Sequence, residues 1–337
     1  MGFLMLDNIA HINDDIHQKH KATEIYENDV LLNITGASIG RTAVATKELE
    51  GGNVNQHVCI IRTNSKVNPK FLCDYIQTQR IQNHIKSLQT GGSREGLNFE
   101  QIRSFPISLP SINEQNKLTC LLDKINERIA TQVRLIEDLK KLRCAIVEKM
   151  FKQSKANGRL GDFIEQVSVR NKNGLYSNVL SVSNKQGFVK QSEQFEDRTV
   201  ASEDTSNYKI VKRNNFAYNP ARINVGSIAR LTKFDVGIVS PMYVCFRTKA
   251  STIPEYMEAF FTSQQFFYEM MKRLEGSVRL CLSYEGLCNI PVYIPNMNKQ
   301  IVMGQNISLI LSKIGLEIEY LGRLHQQKQY LLRKMFI

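Results

Sequence analysis

Arginine and amide side chains recur in the polar, glycine-containing loops of this sequence. A guanidinium group can donate two hydrogen bonds to guanine or to a phosphate, and an Asn or Gln amide can pair with the edge of adenine. The side chains that we expect to contact nucleic acid are Arg41, Gln56, Arg94, Asn98, Arg222, Arg230 and Arg279. Asn and Gly also serve turns, and the turn interpretation is favoured for Asn33, Gly40, Asn219 and Gly226.

The charge balance agrees with a polyanionic partner. The chain has 44 Lys and Arg against 32 Asp and Glu, which gives a net charge of +12. Neutralising phosphates releases counterions and thereby favours binding of a basic protein. A basic surface that binds nothing remains the alternative on charge alone.

Motifs of the common enzyme and metal sites are missing from the sequence. Asn219-Pro220-Ala221-Arg222 resembles a methyltransferase motif but lacks its second proline and its aromatic residue. No Gly-x-x-x-x-Gly-Lys-Ser/Thr loop is present. His11, His17 and His20 lie close together without a fourth donor, so we expect surface histidines and no metal site.

Cysteine usage and hydropathy indicate the compartment. The seven cysteines are scattered and form no Cys-x-x-Cys pair, which favours a reducing cytoplasm. We expect no membrane span, because no apolar run reaches the required length, and the N-terminus has no signal-peptide pattern.

The chain repeats itself once, at an offset of 185 residues, the distance from Phe151 to Phe336. The offset carries Arg62 onto Arg247 and Gln115 onto Gln300. It also carries Pro106 and Pro110 onto Pro291 and Pro295. Matches in this order indicate a tandem duplication. Each copy has a stretch rich in strands, a helix that follows a proline, and a long helix at its end.

The long helices carry matching apolar stripes. In the first copy the stripe is Leu122, Ile125, Ile129, Val133, Ile136, Leu139, Ile146 and Met150, and in the second it is Ile307, Ile310, Ile314, Ile318, Leu321, Leu324, Leu331 and Met335. Three-and-four spacing over this length is typical of a helix seam. We therefore predict an α+β fold in which two pseudo-repeated globular domains are separated by an antiparallel two-helix coiled coil.

The predicted domain limits follow from the repeat. Residues 1–111 form the first globular domain, 112–157 the first spacer helix, 158–296 the second globular domain and 297–337 the second spacer helix. Met1 aligns with Gln186, whereas the second repeat begins near Gly158, so the first repeat lacks about 28 residues. The first globular domain is therefore expected to be incomplete at its N-terminus.

This arrangement resembles the specificity (S) subunits of type I restriction–modification systems, over nearly the whole chain. The motifs of the first copy that resemble the family are Thr35-Gly-Ala-Ser-Ile-Gly40, Asn55-Gln-His-Val58, Gly91-Gly-Ser-Arg94, Pro106-x-x-x-Pro110-Ser-Ile-Asn-Glu-Gln115 and Ala145-Ile-Val-Glu-Lys-Met-Phe151. The motifs of the second copy that resemble the family are Tyr218-Asn-Pro-Ala-Arg222, Val225-Gly-Ser227 and Pro291-x-x-x-Pro295.

The resemblance implies two target recognition domains that read the two halves of a bipartite site in double-stranded DNA. It also implies that two modification (methyltransferase) subunits clasp the helices and bind S-adenosylmethionine, and that separate restriction subunits use ATP. This chain would then bind no cofactor and catalyse nothing. The alternatives are a regulatory or decoy protein that captures modification subunits without productive DNA reading, and, ranked last, a coiled-coil scaffold.

Overall fold

The computed structural model describes residues 9–89, 96–152, 155–184, 186–194, 204–276 and 279–336. It divides the chain into two compact units. Unit 1 combines residues 1–135 with 317–337, and unit 2 is the continuous stretch 136–316. The predicted domain limits remain a prediction.

Unit 1 holds a small antiparallel sheet with the strand order β2-β1-β3. Its strands are β1 (Val30–Asn33), β2 (Thr42–Val44) and β3 (Val58–Ile61). Its helices are α1 (Asp14–Lys19), α2 (Pro69–Ile76), α3 (Gln79–Gln89), α4 (Phe99–Arg103) and the first part of α5 (Ile112–Lys152). Short 3-10 turns lie at Lys21–Thr23, Gly36–Ser38 and Lys47–Leu49.

Unit 2 has more strands. They are β4 (Gly158–Arg159), β5 (Ile164–Gln166), β6 (Val179–Ser183), β7 (Gly187–Lys190), β8 (Lys209–Lys212), β9 (Phe216–Tyr218), β10 (Ile228–Arg230), β11 (Val236–Val239), β12 (Val244–Thr248) and β13 (Pro291–Val292). Its helices are α6 (Leu160–Phe163), α7 (Gln191–Gln194), α8 (Pro254–Phe261), α9 (Gln264–Met271), α10 (Tyr284–Cys288) and the first part of α11 (Met297–Met335), with a 3-10 turn at Ile223–Val225. The predicted mixture of helix and sheet is confirmed.

The strand orders of unit 2 repeat and extend that of unit 1. One sheet has the order β10-β9-β12-β5, a second has the order β7-β6-β11-β8, and β13 pairs with β4. The first three strands of β10-β9-β12-β5 correspond in sequence to β2-β1-β3. Among the described residues of unit 1, β3 pairs only with β1, whereas β12 of unit 2 has β9 on one side and β5 on the other.

A buried glutamine at the start of each long helix makes the same three hydrogen bonds in both units. The Gln115 amide accepts from the Asn68 backbone N–H at 2.8 Å and donates to the carbonyl oxygens of Lys66 and Pro110. The Gln300 amide accepts from Ile253 N–H at 3.0 Å and likewise donates to the carbonyls of Ser251 and Pro295. Each glutamine therefore joins the long helix to the N-terminus of a short one and satisfies three backbone groups.

The far end of each long helix closes an aromatic cluster. In unit 1 the ring of Phe336 lies 5.1 Å from Phe71 and 5.5 Å from Tyr75. In unit 2 the ring of Phe151 lies 5.3 Å from Tyr256 and 5.1 Å from Phe260. Residues 256, 260 and 336 are the repeat equivalents of 71, 75 and 151. The core of each unit is thus completed by the helix that begins in the sequence of the other repeat.

Of the 16 stripe residues of the long helices, seven are buried, seven are half-buried and two are exposed. In unit 1, Leu122 is buried, and Ile125, Ile129 and Leu324 form a common cluster against which the half-buried Leu321 packs. In unit 2, Ile136, Ile307 and Ile314 are buried, and Leu139 and Ile310 are half-buried.

Val133 and Ile318 are wrong as stripe positions, since 40% and 50% of their surfaces are exposed. The buried residues in this turn are Gln132 and Glu317. The Gln132 amide donates to the Glu317 carboxylate and, at 3.1 Å, to its backbone carbonyl. The steps from Leu122 to Ile125 and from Ile125 to Ile129 are three and four residues. Continuing this strict alternation from Ile129 to Ile136 selects residue 132, whereas a search for apolar residues selects its neighbour, Val133.

Helix α11 also corrects the hydropathy expectation. Among the described residues, it is the helix long and apolar enough to cross a membrane, with an 18-residue window of mean hydropathy 1.3. The expectation that no apolar run reaches this length is therefore wrong by composition. A single such helix is weak evidence for a membrane, and Ile307 and Leu324 of this helix belong to hydrophobic clusters of unit 2 and unit 1 respectively.

Candidate nucleic-acid interface

An open cleft of about 650 Å³ in unit 2 gathers polar and cationic side chains. Gln191, Arg222 and Arg279 line it together with Tyr208 and Met242. The cleft lies where β6, α7 and the turn that follows β9 meet. Two of the seven predicted nucleic-acid contacts, Arg222 and Arg279, are therefore brought together although they are 57 residues apart in sequence.

The turn after β9 positions Arg222. The Asn219 side chain accepts from the Ala221 backbone N–H at 3.1 Å, and the Arg222 carbonyl accepts from Ser227 N–H at 3.1 Å. Gly226 ends the turn at a φ of +89°, in the left-handed region that glycine tolerates best. Asn219 and Gly226 thus shape the turn, and Arg222 is the residue that the turn presents to the cleft.

The cleft wall is held by hydrogen bonds. The Tyr243 hydroxyl accepts from the Val182 backbone N–H at 3.3 Å, and its carbonyl accepts from the Lys209 ammonium at 2.7 Å. Tyr208 and Tyr243 are both 8% exposed, so their rings form part of the packed wall. A wall held in this way can preorganise the polar groups that face the open side of the cleft.

The charged groups of the cleft are available for a ligand. Arg222 and Arg279 are exposed, and neither forms an ion pair with a carboxylate of the described residues. The Gln191 side-chain oxygen is buried and accepts no hydrogen bond from the described part of the chain. Within the described ranges this surface therefore offers two cations without an ion-pair partner and one unsatisfied acceptor, which suits an anionic ligand that also carries a hydrogen-bond donor.

Arg230 has a different role from the one predicted. Its side chain is 9% exposed, pairs with Glu255, and donates to the Glu258 carboxylate at 2.9 Å and to Asn214 at 3.0 Å. Burial raises the pKa of Glu258, and the neighbouring guanidinium opposes that shift. Because the acidic residues occupy the guanidinium, Arg230 joins β10 to α8 and is not presented for DNA.

In unit 1 the sheet brings two predicted contacts to one end. Arg41 directly precedes β2 and Gln56 lies two residues before β3, next to the point where β1 ends. Both side chains are exposed. His57 lies beside them, with its Nδ1 2.6 Å from the Thr35 hydroxyl. This end of the sheet is the unit 1 surface on which polar side chains are grouped.

Asn98, another predicted contact, has a structural role at the start of a helix. The Asn98 side chain accepts from Gln101 N–H at 2.8 Å, and the Gln101 side chain accepts from Asn98 N–H at 2.9 Å. This capping box commits Asn98 to the start of α4. Arg94 lies outside the described residues. His17 faces Asn53 at 2.7 Å, and no group of three potential metal ligands occurs in the described ranges.

Sequence reasoning missed Gln191, Tyr208 and Met242. Gln191 and Tyr208 belong to parts of repeat 2 where the matches to repeat 1 are sparse, so the duplication gave no signal for them. The available signal was a glutamine placed directly after a strand, which is too common to single out a site. Only the packing of β6, α7 and the β9 turn makes these residues neighbours.

Comparison with known proteins shows a likeness to one family over the first part of the chain. Residues 6–141 match the family described as type I restriction modification DNA specificity domain. Over this stretch the chain is similar to a type I restriction–modification DNA specificity domain. The resemblance predicted from the repeat and its motifs is thereby confirmed.

A curated relative matches part of the chain, and two solved structures share its fold. The chain is similar to the type I restriction enzyme EcoBI specificity subunit of Escherichia coli, with 24% identity over 127 residues. That match covers 37% of this chain and about a quarter (26%) of the relative's length. The type I restriction–modification S subunit from M. genitalium shares the fold, with a TM-score of 0.57, 18% identity and coverage of 94% of this chain and 84% of that one. A chain from a study of complex assembly and conformational transition in the type I R-M system gives a TM-score of 0.59 at 15% identity, covering 93% and 82%.

Proposed function

We propose that this chain is the non-catalytic DNA-recognition subunit of a type I restriction–modification complex. The observation that carries the proposal is the unit 2 cleft, where Arg222 and Arg279 have no ion-pair partner among the described residues and lie beside the unsatisfied oxygen of Gln191. Arginine there suits guanine edges and phosphates, and the net charge of +12 favours DNA as a whole. Unit 2 reads one half of a bipartite site in double-stranded DNA.

Unit 1 reads the other half in this proposal. Its sheet β2-β1-β3 has the strand order of β10-β9-β12, and it groups Arg41 and Gln56 at one end. Two readers connected by one chain raise each other's effective concentration on DNA. Binding to a complete bipartite site is therefore much tighter than binding to either half.

The spacing between half-sites is proposed to come from α5 and α11 acting as an antiparallel coiled coil. Support comes from the buried stripe residues and from the matched lengths of the helices, 41 and 39 residues. At about 1.5 Å per residue such a helix is about 60 Å long. This length exceeds one DNA turn of about 34 Å, so the helices can act as a ruler between two half-sites.

The partners are proposed to be two modification subunits, with restriction subunits joining through the assembled complex. Support comes from two grooves at equivalent places, each between a long helix and the start of a short one. The groove of unit 2 is lined by Ile253, Glu255, Ile301, Gln305, Ser308 and Leu309. The groove of unit 1 includes the repeat equivalents Asn68, Lys70, Asn116, Cys120, Asp123 and Lys124. Two equivalent grooves would allow two copies of the modification subunit to dock in the same way.

The chemistry of these grooves differs, because apolar side chains of unit 2 correspond to amides and lysine in unit 1. Exposed apolar residues continue along α11, including Val302 at 55% and Leu309 at 67% exposure. We assign this face to partner docking. S-adenosylmethionine and ATP are assigned to the partner subunits, this chain holds no cofactor, and the complex works in the cytoplasm.

A second candidate is a regulatory or decoy chain that captures modification subunits without productive DNA reading. The observation that favours it is the three-stranded sheet of the described part of unit 1, where the corresponding sheet of unit 2 has four strands. A reader with a smaller sheet would hold its loops less firmly.

The test is to sequence methylated adenines in cells that carry this chain together with its modification subunits. A bipartite motif is expected if both units read DNA. Methylation at a single half-site would show that unit 1 does not read, and the absence of any methylated motif despite assembly with the modification subunits would favour the decoy.

A further inference from the structure

The amide of Gln191 has an acceptor that the described part of the protein does not satisfy. Gln191 begins α7 directly after β7, and its side-chain oxygen is buried. The side chain lines the cleft that also holds Arg222 and Arg279. A buried acceptor without a donor is costly, because it has lost water without gaining a replacement. A ligand that brings a donor to this place would recover that loss.

The chemistry of DNA limits what the donor can be. In the major groove, guanine presents its N7 and O6 as acceptors, and thymine presents O4 and a methyl group. The donors there are the exocyclic amino groups of adenine (N6) and cytosine (N4). Phosphate oxygens are acceptors as well. Of the groups that the DNA major groove offers, the Gln191 oxygen is therefore matched only by an exocyclic amino group.

Gln191 and the two neighbouring arginines differ in which hydrogen bonds they can make. The guanidinium groups of Arg222 and Arg279 are donors only, so they take phosphate oxygens or guanine edges. Gln191 alone among these three side chains can accept. Its Nε2 can at the same time donate to adenine N7, which gives the two-point contact that an amide makes with adenine.

We propose that Gln191 selects a base with an exocyclic amino group, adenine or cytosine, in the half-site read by unit 2. This inference rests on the proposed function and names the residue that sets one of its letters. Arg222 and Arg279 supply affinity for the backbone or select a neighbouring guanine.

The experiment uses the complete chain assembled with its modification subunits and a pool of random duplex DNA. The wild-type complex is expected to select adenine or cytosine at one position of one half-site. The Gln191→Ala complex should lose the preference at that position and keep the others, with about a tenfold to hundredfold loss of affinity for the wild-type site. Gln186→Ala, an exposed glutamine five residues earlier, is the matched control and should change neither.

A base analogue then tests the contact itself. Where adenine is selected, purine without the N6 amino group replaces it; where cytosine is selected, 2-pyrimidinone without the N4 amino group replaces it. Either analogue should weaken wild-type binding by the same tenfold to hundredfold and leave Gln191→Ala binding unchanged, as expected for two groups that contact each other. Gln191→Glu keeps an acceptor and should favour cytosine. A changed base preference in this variant would show that substitution at residue 191 leaves the protein folded, so that the lost preference of Gln191→Ala is not due to misfolding.

The outcomes separate the two proposals. Unchanged base preference in Gln191→Ala, or an analogue that binds as well as the natural base, would overturn the role of Gln191 and leave DNA recognition intact. A wild-type complex that selects no sequence at all would overturn the proposed function, and this inference with it.

Discussion

The buried glutamine at the start of each long helix allows a quantitative test of what stabilises each unit. Gln115 is fully buried and makes three hydrogen bonds to the backbone, at 2.8 to 3.0 Å. Gln115→Leu keeps the approximate size of the side chain and removes all three. At about 1 kcal/mol of net stability for each bond, the unfolding free energy of unit 1 should fall by about 3 kcal/mol.

Hydrogen exchange followed by mass spectrometry measures this loss locally. Amides of β1 and β3 that exchange by unfolding of unit 1 should exchange about 100-fold faster in the variant. Gln300→Leu, the repeat equivalent, should produce the same acceleration in β9 and β12 of unit 2. The control is Gln327→Leu, because Gln327 is exposed on α11.

An acceleration of less than about threefold in Gln115→Leu would refute the argument. It would mean that the freed backbone groups find water at no cost. An equal effect from the exposed control would refute it as well, since the loss would then not depend on buried hydrogen bonds.

Three further predictions follow from the packing. Ile129→Asp or Ile314→Asp should abolish co-purification with the modification subunits, because each places a charge in a buried helix seam. Val133 is exposed, so Val133→Asp should have no effect on co-purification. An equal loss in that variant would contradict the seam assignment. Arg230→Leu should lower the stability of unit 2 by about 2 kcal/mol, since it breaks the pairs with Glu255 and Glu258, and should leave specific DNA affinity within about twofold in an equilibrium titration; a selective loss of DNA binding would contradict its structural role. Burial raises the pKa of Asp74 from its ordinary 3.8 to about 6, so the folded state holds its proton more tightly and the stability of unit 1 should fall as pH rises from about 4 to about 6. Asp74→Asn should remove this dependence and stabilise the protein by up to about 3 kcal/mol at pH 7, and denaturant unfolding that shows the same pH profile in both proteins would contradict the argument.

The duplication made much of the architecture predictable. Because the two copies align at one offset, every apolar position in one long helix could be checked against the other, and Ile129 and Ile314 are buried as predicted. The two failures, Val133 and Ile318, are a repeat pair as well. A polar pair, Gln132 and Glu317, occupies the buried positions of that turn, and polarity hid it from a search for apolar residues.

The candidate site was less predictable. Arginine, asparagine and glutamine suit DNA contact wherever they occur, so residue type could not separate a reader from a structural residue. Arg222 faces an open cleft, Arg230 is held by two carboxylates, and Asn98 caps a helix, although all three sit in similar polar loops in the sequence. Which partner a side chain finds depends on residues far away along the chain.

By itself the sequence determined the repeat, the length and periodicity of the two long helices, the basic charge and the resemblance to a known family. These properties are encoded locally or by comparison of one copy with the other, so no folding is needed to read them. Only the tertiary structure decided that Gln191, Arg222 and Arg279 share one cleft and that Arg230 does not. Contacts between distant segments are set by how strands and helices pack, and packing satisfies some polar groups and leaves others open for a ligand.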